Sequence, residues 1–311
     1  MFAIVAPGQG SQKPGMLAPW LSPSDPETVD AAVSDRIAGL LEELCDAAEL
    51  DLRYFGTEAG PEEIVDTAVA QPLIVAFSLL GLAALDSAEL EPRDTVFVGH
   101  SVGELAALAG SGVLTAYDAV ALARARGVAM ARCCQSTDGS MAALLGVDSE
   151  QAEEIAARAG LRVANHNGGG QVVVGGPRDR IVALASDPPP DVKVVAMSVA
   201  GAFHTELMAD AREEFAAAVG KVEFADPHTF VLSSTDGEVR SSGFAETVVS
   251  AVTSPVRWDH CVQTLRKLGA DHRVELPPAG TLSSMARRET PRPTLTKIVD
   301  PASAVNVGTN R

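Results

Sequence analysis

The chain has 311 residues, of which 46% are hydrophobic and 21% charged, and its formal net charge is -17. This composition is typical of a globular protein large enough to bury a sizeable core. The negative charge argues against nucleic acid as a main partner, because phosphate binding requires a basic surface. Four cysteines without C-x-x-C spacing predict neither a disulfide framework nor a zinc site.

The sequence predicts no membrane span and no secretory leader. Its longest apolar run, Leu73 to Leu85, is interrupted by Ser78 and is short for a bilayer. The N-terminus lacks a basic region ahead of an apolar stretch. We therefore expect a cytoplasmic protein that does not bind membranes.

Strands and helices alternate along the first part of the chain. Hydrophobic patterning predicts strands at residues 2–6 and 96–98 and helices at residues 30–50, 70–85 and 116–134. Such alternation is typical of an α/β fold with a largely parallel sheet.

The predicted elements become shorter after residue 139. In chain order they are a strand, a helix, two strands, a helix and a strand, at residues 141–147, 149–159, 162–165, 171–174, 178–185 and 192–198. This β-α-β-β-α-β order is the ferredoxin-like motif. We therefore predict a ferredoxin-like small subdomain at residues 135–199, inserted into a core formed by residues 1–134 and 200–311.

Longer elements return after this insert and complete the core. The predicted helices and strands lie at residues 209–219, 229–233, 245–252, 258–268 and 273–276. The short polar tail, residues 307–311, is expected to be frayed.

The most informative motif follows the strand at residues 96–98. Gly99 and Gly103 flank Ser101 in the pattern G-x-S-x-G, which is typical of a nucleophile elbow between a strand and a helix. The glycines allow close packing of strand and helix, while the serine takes a strained conformation that exposes its hydroxyl. Ser101 is therefore the candidate nucleophile, and the alternative is an ordinary glycine-rich turn.

A serine nucleophile needs a base, and the chain has six histidines. His204 ends a small, apolar segment where the chain returns from the insert to the core, so it would line a cleft between them. On these grounds alone, His204 fits a packing role as well as a catalytic one. His100 adjoins the serine but points away from it on a tight turn, which favours a supporting role. His166 lies in a polar, glycine-rich run, which predicts a mobile loop. The remaining three are predicted in a turn, on a helix surface and in a surface loop: His228, His260 and His272.

An acyl oxyanion needs hydrogen-bond donors, and the elbow supplies one in the backbone N–H of Val102. A second donor could come from the loop at residues 7–12. The G-x-G start of that loop also fits a dinucleotide-binding turn, but Lys13 stands where that fingerprint requires glycine. No carboxylate occupies a signature position of a Ser-His-Asp triad.

Together these motifs resemble the malonyl-CoA:acyl carrier protein transacylases of bacterial fatty acid synthesis. The resemblance covers nearly the whole chain and rests on matching order and spacing of residues 7–12, Gln71-Pro72, residues 99–104, Arg126-Gly127, Asn165-x-Asn167, residues 201–204 and Pro255-Val256-x-Trp258. It implies a hydrolase-like core with a ferredoxin-like insert. It also implies ping-pong transfer of malonyl from a coenzyme A thioester to acyl carrier protein, with no metal or cofactor.

The resemblance assigns roles to individual residues. It implies that Ser101 is acylated and that His204 is its base. It places the backbone N–H groups of Gln9 and Val102 in the oxyanion hole. It makes Arg126 the partner of the free malonyl carboxylate, which a planar guanidinium binds with two hydrogen bonds.

Further residues are implied to support the site. Gln71 and Asn167 match polar groups near the site, and a main-chain carbonyl near Ala251 would hold the base in one tautomer. Phe203 matches the malonyl-selective pattern, because a smaller residue would leave room for a methylmalonyl group.

The sequence departs from the family pattern at two places. Ser254 stands where the family usually has asparagine, and residues 277–280 replace a Gly-Pro-Gly turn. Both departures make the local loop geometry less predictable than the chemistry.

Two other functions fit parts of the sequence. A thioesterase or esterase shares G-x-S-x-G, although its histidine normally lies near the C-terminus. The second alternative is a non-catalytic docking module for carrier protein.

The carrier protein, whether it serves fatty acid or polyketide synthesis, is expected to be acidic and would need basic contacts on this chain. The candidates are Arg178, Arg180, Lys193, Arg287 and Arg288.

Overall fold

The computed structural model describes residues 1–21, 30–85, 94–305 and 307. Within these residues the strands form one sheet of six and one of four. The helices and strands are β1 (Phe2–Ala6), α1 (Ala18–Leu21), α2 (Ala31–Ala48), α3 (Leu52–Thr57), α4 (Pro61–Ile64), α5 (Thr67–Leu85), β2 (Thr95–Gly99), α6 (Gly103–Gly110), α7 (Ala116–Ser136), β3 (Gly139–Leu145), α8 (Ser149–Ala159), β4 (Arg162–Gly168), β5 (Gln171–Pro177), α9 (Arg178–Ser186), β6 (Lys193–Ala196), a 3₁₀ turn (Glu206–Met208), α10 (Ala209–Val219), β7 (Phe230–Leu232), β8 (Val239–Arg240), α11 (Phe244–Ser250), α12 (Trp258–Lys267), β9 (His272–Glu275), α13 (Thr281–Ala286), β10 (Thr294–Lys297) and α14 (Pro301–Val305).

The larger sheet has the order β10-β9-β1-β2-β7-β8. Its paired neighbours run parallel except for the antiparallel pair β7 and β8, so the predicted α/β fold with a largely parallel sheet is confirmed. The central strands β1 and β2 are apolar and almost entirely buried, as in sheets covered on both faces. They pair in register from Phe2 opposite Thr95 to Ala6 opposite Gly99. The loops that follow these two strands therefore lie side by side.

The smaller sheet is antiparallel and has the order β4-β5-β3-β6. Two helices, α8 and α9, pack on it and share an apolar core with its strands. The side chain of Asp148 caps α8 by accepting from the backbone N–H of Gln151, and Gly160 ends the helix in the left-handed region. The predicted chain order of strands and helices is thus found here.

Strand β4 joins the smaller sheet to the core. Asn165 forms an isolated parallel bridge with Val256, which precedes α12. The N–H of His166 donates to Val256 O at 2.8 Å, and the N–H of Val256 donates to Ala164 O at 2.9 Å. These main-chain bonds fix the smaller sheet against the core at the middle of β4.

Helix α5 is the central helix of the core. By length and composition alone it could cross a bilayer, but 78% of its apolar window is buried inside the protein. A helix that is apolar all round and buried in this way is a core helix. It begins at Thr67, three residues before the predicted start, with Pro72 in its second turn.

Two predicted loops are strands in the structure. The prediction of a mobile loop at His166 was wrong, because β4 continues to Gly168 and the histidine is buried in it. Its ring nitrogen Nδ1 lies 3.0 Å from Ser149 Oγ, and its backbone bonds to Val256, so a polar segment is stabilised in a strand. His272 begins β9 and was also wrongly predicted to lie in a surface loop.

Several short elements were not predicted, namely α1, α3, α4, β8, α13, β10 and α14. Of the tail expected to fray, only Val307 lies within the described residues. The four cysteines all lie in the described part of the chain and are free thiols.

Candidate active site

Ser101 lies at the sharp turn between β2 and α6, with a backbone φ of 55°. A Cβ on Gly99 would come within 2.0 Å of the carbonyl carbon of Gly103, and one on Gly103 within 2.4 Å of Ala6 O. The two glycines are therefore required by close backbone approach, as the motif predicted. Positive φ is uncommon for a residue with a side chain, and here it directs the hydroxyl out of the turn.

His204 meets the serine from a separate part of the chain. It lies between β6 and the 3₁₀ turn and also has positive φ, at 60°. Its Nε2 is 2.8 Å from Ser101 Oγ. The structure thus brings together the candidate nucleophile and the histidine that local patterning left open and the family resemblance paired with it.

Two main-chain carbonyls hold the imidazole of His204. Its Nδ1 lies 2.8 Å from Ala251 O and 3.1 Å from Ser254 O. Carbonyl oxygens only accept, so Nδ1 carries the proton and Nε2 is free to accept from the serine hydroxyl. The serine at position 254, a departure from the family pattern, contributes through its backbone, where side-chain identity matters little.

The surroundings of His204 keep its imidazole neutral. Burial is the largest cause, and the positive charge of Arg126 and the neighbouring His100 add to it, lowering the pKa of His204 to about 3. The ring is neutral at physiological pH and can accept a proton from Ser101, but the low pKa also makes it a weak base while the charge of Arg126 is unpaired.

Arg126 is a buried cation beside the serine. It is only 3% exposed, and Nη2 donates to Ser101 Oγ at 3.4 Å while Nη1 donates to Gln71 Oε1 at 2.9 Å. Burial lowers its pKa to about 10, so the guanidinium remains charged near neutral pH. A buried cation with no carboxylate bound to it, among the described residues, is suited to receive an anionic group from a ligand.

Gln9 lies on the loop after β1, beside the elbow. Its side chain donates to Thr67 Oγ1 at 3.1 Å and accepts a longer contact of 3.4 Å from Gln71 Nε2. Within the described residues, the backbone N–H groups of Gln9 and Val102 donate to no protein acceptor. Two free N–H groups on adjacent loops can serve an oxyanion.

His100 supports the turn rather than the serine hydroxyl. Its Nε2 lies 3.0 Å from Asn167 Oδ1, at the end of β4. Gly8 lies against the backbone and Nδ1 of His100, since a Cβ on Gly8 would come within 2.6 Å of His100 O and 3.2 Å of His100 Nδ1. The histidine therefore links the loop carrying Gln9 to the smaller sheet. Phe203 is buried immediately before His204.

The buried carboxylate of Glu104 was not singled out from the sequence as a functional residue. It accepts from both the N–H and the Oγ of Ser234, at 3.0 and 2.6 Å, and so ties the elbow helix to the end of β7. Burial raises the pKa of Glu104. A lone acid in the otherwise apolar helix α6 was the available signal.

This site geometry and fold are accompanied by a clear family match. The model of the acyl transferase domain family matches residues 3–308, so the chain belongs to that family and is an acyltransferase.

Individual relatives narrow the assignment. The chain is 47% identical over 292 residues to the malonyl CoA-acyl carrier protein transacylase of Mycobacterium tuberculosis, covering 93% of each. It is similar to the crystal structure of MCAT from Mycobacterium tuberculosis, with a TM-score of 0.90, 45% identity and 99% of each chain covered. It is also similar to PlMCAT, a malonyl-transacylase solved in complex with AntF, a type II PKS acyl-carrier protein. For this pair the TM-score is 0.88 and the identity 25%, and the match covers 100% of this chain and 99% of the other. Within the acyltransferases, the chain therefore belongs to the malonyl CoA-acyl carrier protein transacylases.

Proposed function

We propose that the protein transfers malonyl from malonyl-CoA to the phosphopantetheine thiol of acyl carrier protein, supplying extender units for fatty acid synthesis. The observation that carries this proposal is one hydroxyl contacted by both a neutral base and a buried cation. Ser101 Oγ lies 2.8 Å from His204 Nε2 and 3.4 Å from Arg126 Nη2. A base serves acyl transfer in general, while the cation selects an acyl group that carries a carboxylate.

The first half-reaction acylates Ser101. His204 Nε2 takes the hydroxyl proton as Oγ attacks the thioester carbonyl, and the backbone N–H groups of Gln9 and Val102 stabilise the oxyanion. Collapse of the intermediate breaks the carbon–sulfur bond, and His204 returns the proton to the sulfur of departing CoA. In the second half-reaction the carrier thiol gives its proton to His204 and its sulfur attacks the ester carbonyl. Collapse of this intermediate breaks the bond between the carbonyl carbon and Ser101 Oγ, His204 returns the proton to Ser101, and malonyl leaves as the carrier thioester.

Arg126 would bind the free carboxylate of the malonyl group. Gln71 holds one end of the guanidinium through its Oε1, which orients the remaining N–H groups toward the serine. Neutralising Arg126 would also remove one cause of the low pKa of His204. Malonyl binding would thus strengthen the base, whereas an acetyl group would leave it weak.

Basic residues around the site would receive the acidic carrier. A cavity of about 380 Å³ adjoins the loop after β1 and includes Lys13 and Arg288 in its lining. Arg180 and Lys193 are exposed on the smaller sheet and its helix, whereas Arg178 is paired with Asp138. These charges support electrostatic docking in a chain that is otherwise acidic.

The architecture proposed for this function is a hydrolase-like core, residues 1–134 and 200–311, with a ferredoxin-like small subdomain at residues 135–199. The antiparallel order β4-β5-β3-β6 with two helices supports the second assignment. His204 and Asn167 belong to opposite sides of this division, so the site lies where the two parts meet. The proposed reaction uses no cofactor beyond the thiols of its substrates, and we propose a cytoplasmic location.

Steady-state assays with malonyl-CoA test this function against its rivals. Release of CoA that depends on holo acyl carrier protein, with stoichiometric malonyl-carrier, is the expected result. Accumulation of free malonate at the same rate without carrier would instead identify a thioesterase. Absence of turnover would favour a docking module, and a strong preference for polyketide carriers would change the pathway assigned.

A further inference from the structure

Helix α5 contains a proline in its second turn. Pro72 has no N–H, so the carbonyl of Ala68, four residues earlier, lacks its usual helical donor. Ala68 is half-buried, and a carbonyl shielded from water without a donor is costly, so another group is expected to satisfy it.

The donor comes from helix α7. Arg124 Nη1 donates to Ala68 O at 2.7 Å, and its side chain is half-buried between the helices. Gly127, three residues on and on the same face, lies against Thr67, where a Cβ would come within 2.5 Å of the carbonyl oxygen. One face of α7 therefore packs closely on the first turn of α5. The Arg124 hydrogen bond holds the two helices together, and Gly127 lets their backbones approach because it has no side chain.

The same helix pair carries the proposed malonyl-binding group. Arg126 lies between Arg124 and Gly127 in the sequence, and its guanidinium contacts Gln71 of α5 and the Ser101 hydroxyl. Its direction depends on how α7 is placed along and around α5. A shift of about 1 Å in a positioned group is enough to impair catalysis strongly.

We propose that Arg124 is a positioning residue for malonyl selectivity: by satisfying the carbonyl that Pro72 leaves open, it holds α7 where Arg126 faces the serine. The inference rests on the proposed role of Arg126 and extends it to a residue that does not touch the acyl group. It also gives Pro72 a role, because the proline creates the acceptor that Arg124 uses.

A pair of substitutions tests this directly. Arg124→Met keeps the apolar stem but removes the donor, and we expect roughly a tenfold loss in kcat/KM for malonyl-CoA with acetyl-CoA transfer changed less than about twofold. Pro72→Ala supplies an N–H that can bond to Ala68 O within the helix. Adding it to Arg124→Met should restore the malonyl to acetyl ratio to within about threefold of wild type. Since the rescue restores no charge at position 124, it separates positioning from simple electrostatic attraction.

Arg132→Met, on the same helix but exposed and paired with Glu214, is the matched control and should keep the wild-type ratio. The proposal would be overturned if Arg124→Met left the malonyl to acetyl ratio unchanged, whether kcat/KM fell equally for both thioesters or for neither. It would also be overturned if the double variant had a ratio no closer to wild type than that of Arg124→Met. Arg124→Met alone could fail to fold. In that case, a Pro72→Ala/Arg124→Met protein that folds with the wild-type malonyl to acetyl ratio supports the proposal, and a double variant that also fails to fold contradicts the proposal. Failure of the wild-type protein to transfer malonyl would instead reject the proposed function itself.

Discussion

Ser101 and His204 each adopt positive φ, at 55° and 60°, although neither is glycine. Such conformations cost about 1–3 kcal/mol each and persist where the surrounding structure fixes them. Here close glycine packing fixes the serine turn, and two carbonyl acceptors hold the histidine ring. Among the described non-glycine residues, Glu49 and Asp191 also have positive φ, but Ser101 and His204 are the two whose side chains meet.

Replacement of Arg126 tests the assignment of the acyl carboxylate. Arg126→Ala should lower kcat/KM for malonyl-CoA by about a hundredfold, because a buried carboxylate would lose its charged partner. Transfer of acetyl, which has no carboxylate, should not fall and should rise modestly, because the substitution also removes one cause of the low pKa of His204. Competition between the two thioesters measures the ratio, with Arg132→Ala as an exposed control on α7. Retained malonyl preference in Arg126→Ala would show that another group binds the carboxylate.

The pKa of His204 predicts an unusual pH profile. A protonated imidazole cannot accept the serine proton, so the rate falls only as pH approaches a pKa of about 3, far below the ordinary histidine value. We expect kcat/KM for acylation to be flat from about pH 5 to pH 8. Stopped-flow release of CoA across that range measures it. An acid limb with its midpoint between pH 6 and 7 would contradict the neutral, buried state of the ring.

At the scale of elements, the elbow depends on two glycines at the end of β2 and the start of α6. Gly99→Ala places a methyl group 2.0 Å from the carbonyl carbon of Gly103, so strand and helix must separate. We expect a fall in Tm of at least about 3 °C and loss of acylation. The control is Gly39→Ala in α2, where a Cβ meets nothing within 4 Å and should leave Tm unchanged or slightly higher. Equal Tm values for the two variants would contradict the claim that close packing of β2 against α6 requires glycine at position 99.

The long elements of the fold could be predicted from the sequence, because buried parallel strands and core helices have strong patterns. Helix α8, for example, is found at residues 149–159 as predicted, with its Asp148 cap. Short elements such as the two-residue strand β8 have too few residues to show a period. His166 was misassigned because a polar, glycine-rich run is typical of loops, and its strand depends on bonds to a distant residue, Val256.

The parts of the candidate site that lie in short local motifs could be predicted from the residues themselves, and the parts that depend on distant contacts could not. Ser101 follows from five consecutive residues, whereas His204 is 103 positions away, so local patterning left it open and only the family resemblance paired it with the serine. The acceptors of His204 are main-chain carbonyls, which leave no mark on residue identity. Arg124 is likewise invisible in sequence, since its acceptor exists only because of a proline in another helix.

At the scale of the whole molecule, the net charge of -17 produces a long-range repulsion that opposes association with an acidic carrier. Docking must use local basic residues against overall repulsion, so it should respond to salt. We expect discharge of preformed malonyl-enzyme to holo carrier to slow by roughly fivefold or more from low to high salt, because salt screens the attraction to the local basic residues, and to slow in Lys193→Glu. Discharge to pantetheine, a neutral thiol, is the control. Identical salt responses for both acceptors would argue against electrostatic docking.

The central claim is that malonyl passes through an ester on Ser101. Intact-protein mass spectrometry after brief exposure to malonyl-CoA, followed by addition of holo carrier, tests it most directly. The account predicts a malonyl adduct on wild-type protein that maps to Ser101, is absent in Ser101→Ala, and moves to the carrier. An adduct that persists in Ser101→Ala, or transfer to carrier without any adduct on the protein, would contradict it.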